Sequence, residues 1–489
     1  MALFSTAVLA GIGLAFFLIK FLSRLASPLR KVPGPFYTRL SRLPLRYHEM
    51  NANRTLWIDS LHQKYGPVVR IAPNEVAFSS ASAMKEIYNS GGSGYDKTEF
   101  YDLFKAYGRR TMFTSLVKAE HSKRRRIIAD RYANSNVMKE ASMIGINDRA
   151  QDFVAKCRDS VGGSIDVFRC LHAYACDCIT QHLFHPFGTH ALKDKHDEEM
   201  MHQVAVDDSL RSTTNNVPTA DRLIQHYSPL LHSVLSKILG YFGVRPRETP
   251  LADAFVLDAS GQPNTAHFTL MTRMREKIGD LEQIDLAAEA LDHMAAGIDT
   301  TGDVLCFLMW ELSQPRSMDI QQRLQQELRS KPKASFDELP YLDAVINEGL
   351  RCFPAIPMSL PRYVPAGGRE IDGYMIPEHT IVSCQAFSLH RLNPDVYPDG
   401  ESFRPERWLA AEGDADRKRL MFAFSAGGRG CIGKHLAMAE MKTLVRSVYS
   451  QFTTLPDASM TEESMAMSDQ LISSRPLGQR CILQFEPIR

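Results

Sequence analysis

The sequence predicts a mainly α fold with small β-sheets, preceded by one N-terminal transmembrane helix, and three patterns carry that expectation. Apolar residues recur at helical spacing through most of residues 140–350, as in helices that each bury one face. Strand-like alternation is short and scattered: a pair of runs flanking Pro73-Asn74, then pieces near 374–376, 381–384 and 481–485. An uncharged, mostly apolar run fills residues 2–19. With 489 residues, 44 % apolar and 23 % charged, the chain can bury a large core. No linker, repeat or low-complexity tract follows residue 40, so the remainder reads as one folded unit.

About eighteen apolar residues at a rise of about 1.5 Å each span about 27 Å, enough to cross a bilayer if Lys20 snorkels. Basic residues follow this run (Lys20, Arg24, Arg30, Lys31) rather than precede it. Residues 1–24 are therefore read as a retained anchor, not a cleaved signal, with the rest of the chain in the cytosol. Residues 25–40 form a proline-rich hinge: Pro28 and Val32-Pro33-Gly34-Pro35 fix φ and stiffen the exit from the membrane. The folded domain occupies 41–489. A net charge of +1 gives no basis for nucleic-acid binding. Nine cysteines form no disulfide framework and suit a reducing compartment; Cys176 and Cys178 lie in a helical pattern and read as packing residues.

The chemistry gathers in Phe424-Ser425-Ala426-Gly427-Gly428-Arg429-Gly430-Cys431-Ile432-Gly433. Leu436, Ala439, Met441, Leu444 and Val448 follow at helical spacing, which puts Cys431 at a helix N-terminus. Free amides and the macrodipole there favour thiolate over thiol, and the glycines let a flat group approach. A buried structural cysteine is the plain alternative. The spacing F-x-x-G-x-R-x-C-x-G, carried by Phe424, Gly427, Arg429, Cys431 and Gly433, resembles the cytochrome P-450 superfamily. That resemblance implies Cys431 as the axial thiolate of haem b iron, with Phe422 and Phe424 shielding the sulfur.

Other segments resemble the same family. Residues 284–313 are apolar at helical period and contain Ala296-Gly297-Ile298-Asp299-Thr300-Thr301, in which glycine, aspartate and paired threonines weaken a helix interior. By resemblance, Thr300 and Asp299 belong to the proton-delivery network for O–O bond cleavage. His121 and Arg125 lie four apart on one helical face, where two donors can hold a haem propionate; the family places W-x-x-x-R there, with histidine replacing tryptophan in many fungal members. Pro361-Arg362 resembles the segment that supplies a propionate-binding arginine, and Arg429 supplies another. Glu348 and Arg351, three apart, and Arg407 within Phe403-Arg404-Pro405-Glu406-Arg407-Trp408 resemble the family's buried triad, a fold lock. His390 is read as a structural hydrogen-bonding residue.

The resemblance covers the chain after the hinge, so 41–489 is identified as a haem-thiolate monooxygenase domain with a triangular helical fold around buried haem. It implies dioxygen as co-substrate and electrons from a membrane-bound, NADPH-dependent cytochrome reductase, in an endoplasmic reticulum protein whose single-pass anchor leaves the domain facing the cytosol. The competing readings are a haem-thiolate isomerase or peroxygenase that needs no reductase, and a non-catalytic haem sensor or carrier. Segments 65–76 and 431–440 resemble fungal members, including those that tailor secondary metabolites and those that hydroxylate benzoate-type aromatics, so the expected substrate is a mostly apolar small molecule, a secondary-metabolite intermediate. Positions expected to touch it are the 101–113 loop, the 204–241 helices, Met294, Ile298, residues 356–360 and residues 471–473.

Overall fold

The computed structural model describes residues 6–89, 94–205, 223–241, 249–277 and 282–488. Its longest element is the helix Gln283–Ser313, 31 residues, within one residue of the start expected from the sequence. It packs most extensively on the helix Val167–Phe184. Glycine sets how closely they approach: a Cβ at Gly297 would come within 2.6 Å of the Ile179 side chain, and one at Gly302 within 2.8 Å of the His172 ring. Cys176 and Cys178 are buried in the second of these helices, as packing residues should be. The helix Lys434–Tyr449 buries Leu436, Ala439, Met441, Leu444, Val445 and Val448 in the same core.

The expected hairpin is present, with Val68–Ala72 antiparallel to Glu75–Phe78. It opens a five-stranded sheet whose order continues through Ile381–Cys384, Arg362–Tyr363 and Asp96–Lys97. In that last pairing Lys97 lies directly opposite Arg362. A three-stranded sheet joins Ser164–Asp166, Ile482–Pro487 and Phe452–Pro456, and the short strands Met467–Asp469 and Ser474–Pro476 form a C-terminal hairpin. The architecture is mainly α with small sheets, as expected.

The N-terminal run folds as the helix Thr6–Leu25, with Ile12, Leu14, Leu18, Ile19 and Leu22 exposed. Among the described residues no helix is long and apolar enough to cross a membrane. The expected transmembrane helix is therefore not found there: the described helix begins at Thr6 and carries Lys20 and Arg24 within its length. The proline-rich segment is strapped to the first strand. The Arg70 amide donates to the Pro33 carbonyl at 2.7 Å, Leu29 and Val32 are buried, and at Gly34, φ +147°, a Cβ would lie 2.6 Å from the Arg70 carbonyl oxygen.

The expected triad forms. Glu348 is fully buried and accepts from Arg351 Nε at 2.9 Å and Nη2 at 2.8 Å, Arg407 Nε at 3.0 Å, Trp408 Nε1 at 2.9 Å and the Arg404 amide at 2.8 Å. Arg351 donates onward to the carbonyls of His390, Gly400 and Ser402. His390 returns a bond to the Arg351 carbonyl through Nδ1 at 3.0 Å, and its Nε2 accepts the Phe422 amide at 2.8 Å. An amide can only donate, so the Nδ1 proton is the one that remains. Burial, then the Arg351 charge, push His390 down to about 3 and keep it neutral. Glu348→Ala strands two buried guanidinium groups, and urea unfolding should show a loss of about 3–5 kcal/mol; a midpoint within error of the parent would refute the fold-lock role.

Candidate functional site

One cavity of about 880 Å³ is lined by every site residue read from the sequence: His121, Arg125, Arg362, Phe424, Arg429 and Cys431 together with Asp299 and Thr300. Their elements are far apart in the chain, so the fold does the gathering.

The cysteine loop is fixed by its own backbone. The Cys431 amide donates to the Phe424 carbonyl at 2.8 Å, and Gly430 donates to the Gly427 carbonyl at 3.0 Å. Gly427 takes φ +66° with the Tyr88 carbonyl pressed against it, which leaves no room for a side chain. Cys431 opens onto the cavity three residues before the helix Lys434–Tyr449. Burial pushes its thiol up, against the amides of Gly433 and Lys434 and the Arg125 guanidinium, which pull it down. The amides at the helix terminus and the Arg125 guanidinium favour thiolate, as expected, and oppose the cost of burial.

A second wall is cationic. Arg125, on the helix Lys118–Ile128, donates to the Gly430 carbonyl at 2.7 Å. Arg429 donates to the carbonyls of Ser115 at 3.0 Å and Leu116 at 2.6 Å and pairs with Asp96 at 3.3 Å; burial, then Arg362, push it down to about 10. Arg362 donates to the Tyr101 hydroxyl at 2.6 Å. His121 sits among them, pushed down to about 3 by burial and then by Lys97, Arg429, Arg125 and Arg362, and its buried Nδ1 has no partner among the described residues. Lys97, which sequence reading missed, completes the wall: it donates to the Phe113 carbonyl, its Nζ lies 4.3 Å from the Tyr101 ring centroid, and burial with Arg362 and Arg429 drives it well below the usual lysine range. No local pattern marks Lys97. Its only signal is its pairing opposite Arg362.

The third wall comes from the long helix. The Thr300 hydroxyl donates to the Ala296 carbonyl at 2.6 Å, the back-bond its position four residues on allows. Asp299 pairs with Arg475 at 3.2 Å. The Thr301 hydroxyl donates to Glu440 at 3.3 Å, and burial pushes that carboxyl up to about 8. Arg475 and Glu440 were not singled out from sequence either. Around the remaining space stand Phe104, Phe113, Val204, Ile356, Leu360 and Leu471. Met294 and Ile298 do not line it: both are fully buried in the main core, and Leu291, Ala295 and Ala296 present the cavity face instead. Of the expected 204–241 helices, residues 206–222 lie outside the described residues.

These walls fit haem on the chain's own chemistry. Four desolvated cations and an unpartnered imidazole nitrogen converge on one side, as a flat cofactor with two carboxylates requires, and a soft sulfur donor faces the same space. Haem-thiolate enzyme is the class that fold and site define. Residues 33–482 match the family model described as Cytochrome P450, so the chain belongs to the cytochrome P450 family and is a monooxygenase that uses haem iron with a cysteine thiolate and dioxygen. It is 30 % identical to cytochrome P450 monooxygenase orf2 of Aspergillus niger over 97 % of each chain. It is also 30 % identical to cytochrome P450 monooxygenase stcB of Emericella nidulans, over 94 % of this chain and 88 % of that one. With cytochrome P450 monooxygenase aflV of Aspergillus parasiticus the identity is 28 %, over 94 % and 91 %.

Glu440 makes stability pH-dependent. Its folded value, about 8, lies above the ordinary 4.5. The folded chain binds the extra proton, so this stabilisation is whole below the ordinary value and is lost as pH rises through the folded one. Unfolding midpoints should fall across that window, and Glu440→Gln should flatten the profile. An equal slope in the variant would contradict the assignment.

Proposed function

We propose that this monooxygenase holds haem b with Cys431 as axial ligand and oxidises a mostly apolar small molecule, an intermediate of fungal secondary metabolism, by hydroxylation, epoxidation, desaturation or coupling. The observation that carries this reading is the convergence of every site residue expected from sequence on one cavity. Haem, when bound, supplies the activation of dioxygen. Arg125, Arg362 and Arg429, with Lys97 and neutral His121, would hold its carboxylates, and Phe424 would cover the sulfur side. Thr300 and Asp299 would hold and pass the protons needed for O–O cleavage, and the apolar walls exclude water from everything else.

Electrons come from an NADPH-dependent cytochrome reductase. Exposed Lys123 and Arg126 on the helix that bears Arg125, with exposed Lys434 beside the cysteine loop, offer a basic face for an acidic donor. The helix Thr6–Leu25, with its exposed Ile12, Leu14, Leu18, Ile19 and Leu22, attaches the protein to the endoplasmic reticulum membrane with the domain in the cytosol.

The test is turnover of microsomes with reductase and NADPH on extracts of the producing organism, followed as a gain or loss of mass. NADPH-dependent product is expected, and product formed equally without reductase would contradict the reading. Thr300→Ala should lower product per NADPH by at least about tenfold and release peroxide instead; full coupling in that variant would remove Thr300 from the relay. The full chain should resist alkaline extraction from membranes, and deletion of residues 2–24 should release it. A full chain extracted as easily as the deletion would refute the anchor.

A further inference from the structure

We infer that Arg475 is the positioning residue of proton delivery: it ties Asp299 to the C-terminal hairpin, so that the segment walling the substrate end of the cavity also sets where the relay carboxylate stands. The inference rests on the proposed role of Asp299 and adds a residue that no motif marks.

The two sides of the Asp299–Arg475 pair are held very differently. Arg475 lies in the strand Ser474–Pro476, opposite Ser468 of the strand Met467–Asp469. Its side chain is 5 % exposed, while that of Asp299 is 23 % exposed and lines the cavity. One guanidinium nitrogen donates to the Ala205 carbonyl at 2.5 Å, at the end of the helix Lys195–Ala205, and the other meets Asp299 at 3.2 Å. The fork therefore bridges two fixed elements and the long helix at once, which a rigid planar group can do and a single-point ammonium cannot.

The connection to substrate is the turn between those two strands. Gln470, Leu471, Ile472 and Ser473 all line the cavity, the Gln470 amide closes the turn on the Ser473 carbonyl at 2.8 Å, and the Ser474 amide is pinned to the Ala355 carbonyl at 3.0 Å. A ligand against Leu471 thus bears on the strand that carries Arg475. Across the helix, the Thr300 hydroxyl is committed to the Ala296 carbonyl. Both relay side chains are accordingly held by bonds, and the one to Asp299 leads out of its helix to the hairpin. Among the described residues, the charges near Asp299 include His172, on the helix Val167–Phe184, and its partner Asp303. They are fully buried and belong to the helix crossing.

The experiment uses the full-length holoenzyme with reductase, NADPH and dioxygen alone. When peroxide leaves, one NADPH and one proton are consumed per dioxygen; when the O–O bond is cleaved and both atoms become water, two NADPH and two protons are consumed. The ratio of NADPH to dioxygen, with peroxide assayed directly, reads proton delivery without needing the substrate. R475Q should raise the peroxide share severalfold and alter the solvent deuterium effect on it, while R475K, which keeps a charge within reach of Asp299 but cannot hold the Ala205 carbonyl as well, should recover only part of the loss. D299N should raise peroxide as R475Q does, and R475Q/D299N should add nothing to D299N.

R475Q at the wild-type ratio, with its reduced carbon monoxide spectrum intact, would overturn the inference. So would a double variant that exceeds D299N. If R475Q does not fold, the comparison of D299N with R475Q/D299N, which removes both charges of the pair together, decides alone. D299N at the wild-type ratio would refute the relay reading itself and take the role of Arg475 with it. That result differs from a failure confined to Arg475.

Discussion

The fold hangs on one buried carboxylate. Glu348 has no exposure and collects five donors from residues 351, 404, 407 and 408, so removing it would strand charges that water cannot reach. Satisfying it forces the helix Pro340–Cys352 to sit beside the turn Pro405–Trp408. Through Arg351 the same requirement reaches His390, and through the neutral imidazole it reaches the Phe422 amide, two residues before the cysteine loop begins. The position of Cys431 therefore depends on a charge balance made elsewhere. His390 can transmit it because burial keeps that ring uncharged, one nitrogen donating and the other accepting.

A second electrostatic condition shapes the cavity. Lys97, Arg125, Arg362 and Arg429 converge while partly or wholly desolvated, and each lowers the proton affinity of His121 between them. Carbonyls of Phe113, Gly430, Ser115 and Leu116 and the carboxylates of Asp96 and Asp292 meet part of this charge. An anionic ligand meets the remainder, which is why the wall suits a cofactor with two carboxylates. A neutral His121 there would act as a hydrogen-bonding group rather than as a cation. Elsewhere on the lining, Thr300, Asp299 and Arg475 make a second polar strip.

Much of this was legible in sequence where a local rule was strong. The 3.6-residue period placed the long helix to within a residue, the Pro73-Asn74 turn between alternating runs placed the hairpin, and fixed spacing around Cys431 placed the loop. Each of those signals lies within some thirty consecutive positions. What required the tertiary structure was decided by partners far away in the chain. Lys97 matters because a strand pairing sets it opposite Arg362, and Arg475 because a hairpin delivers it to Asp299. Met294 and Ile298 face the core rather than the cavity because apolar residues occupy both faces of this stretch, Leu291, Ala295 and Ala296 on one and Met294 and Ile298 on the other, so apolarity alone does not choose between them.

The account stands or falls on Cys431 as the sulfur ligand of haem. The direct measurement is the absorption spectrum of the reduced carbon monoxide complex, recorded for the parent and for Cys431→Ala alongside an unfolding midpoint for each. The account predicts the red-shifted Soret band of thiolate ligation in the parent, and its loss in a variant that still unfolds cooperatively. The same band in folded Cys431→Ala would contradict it.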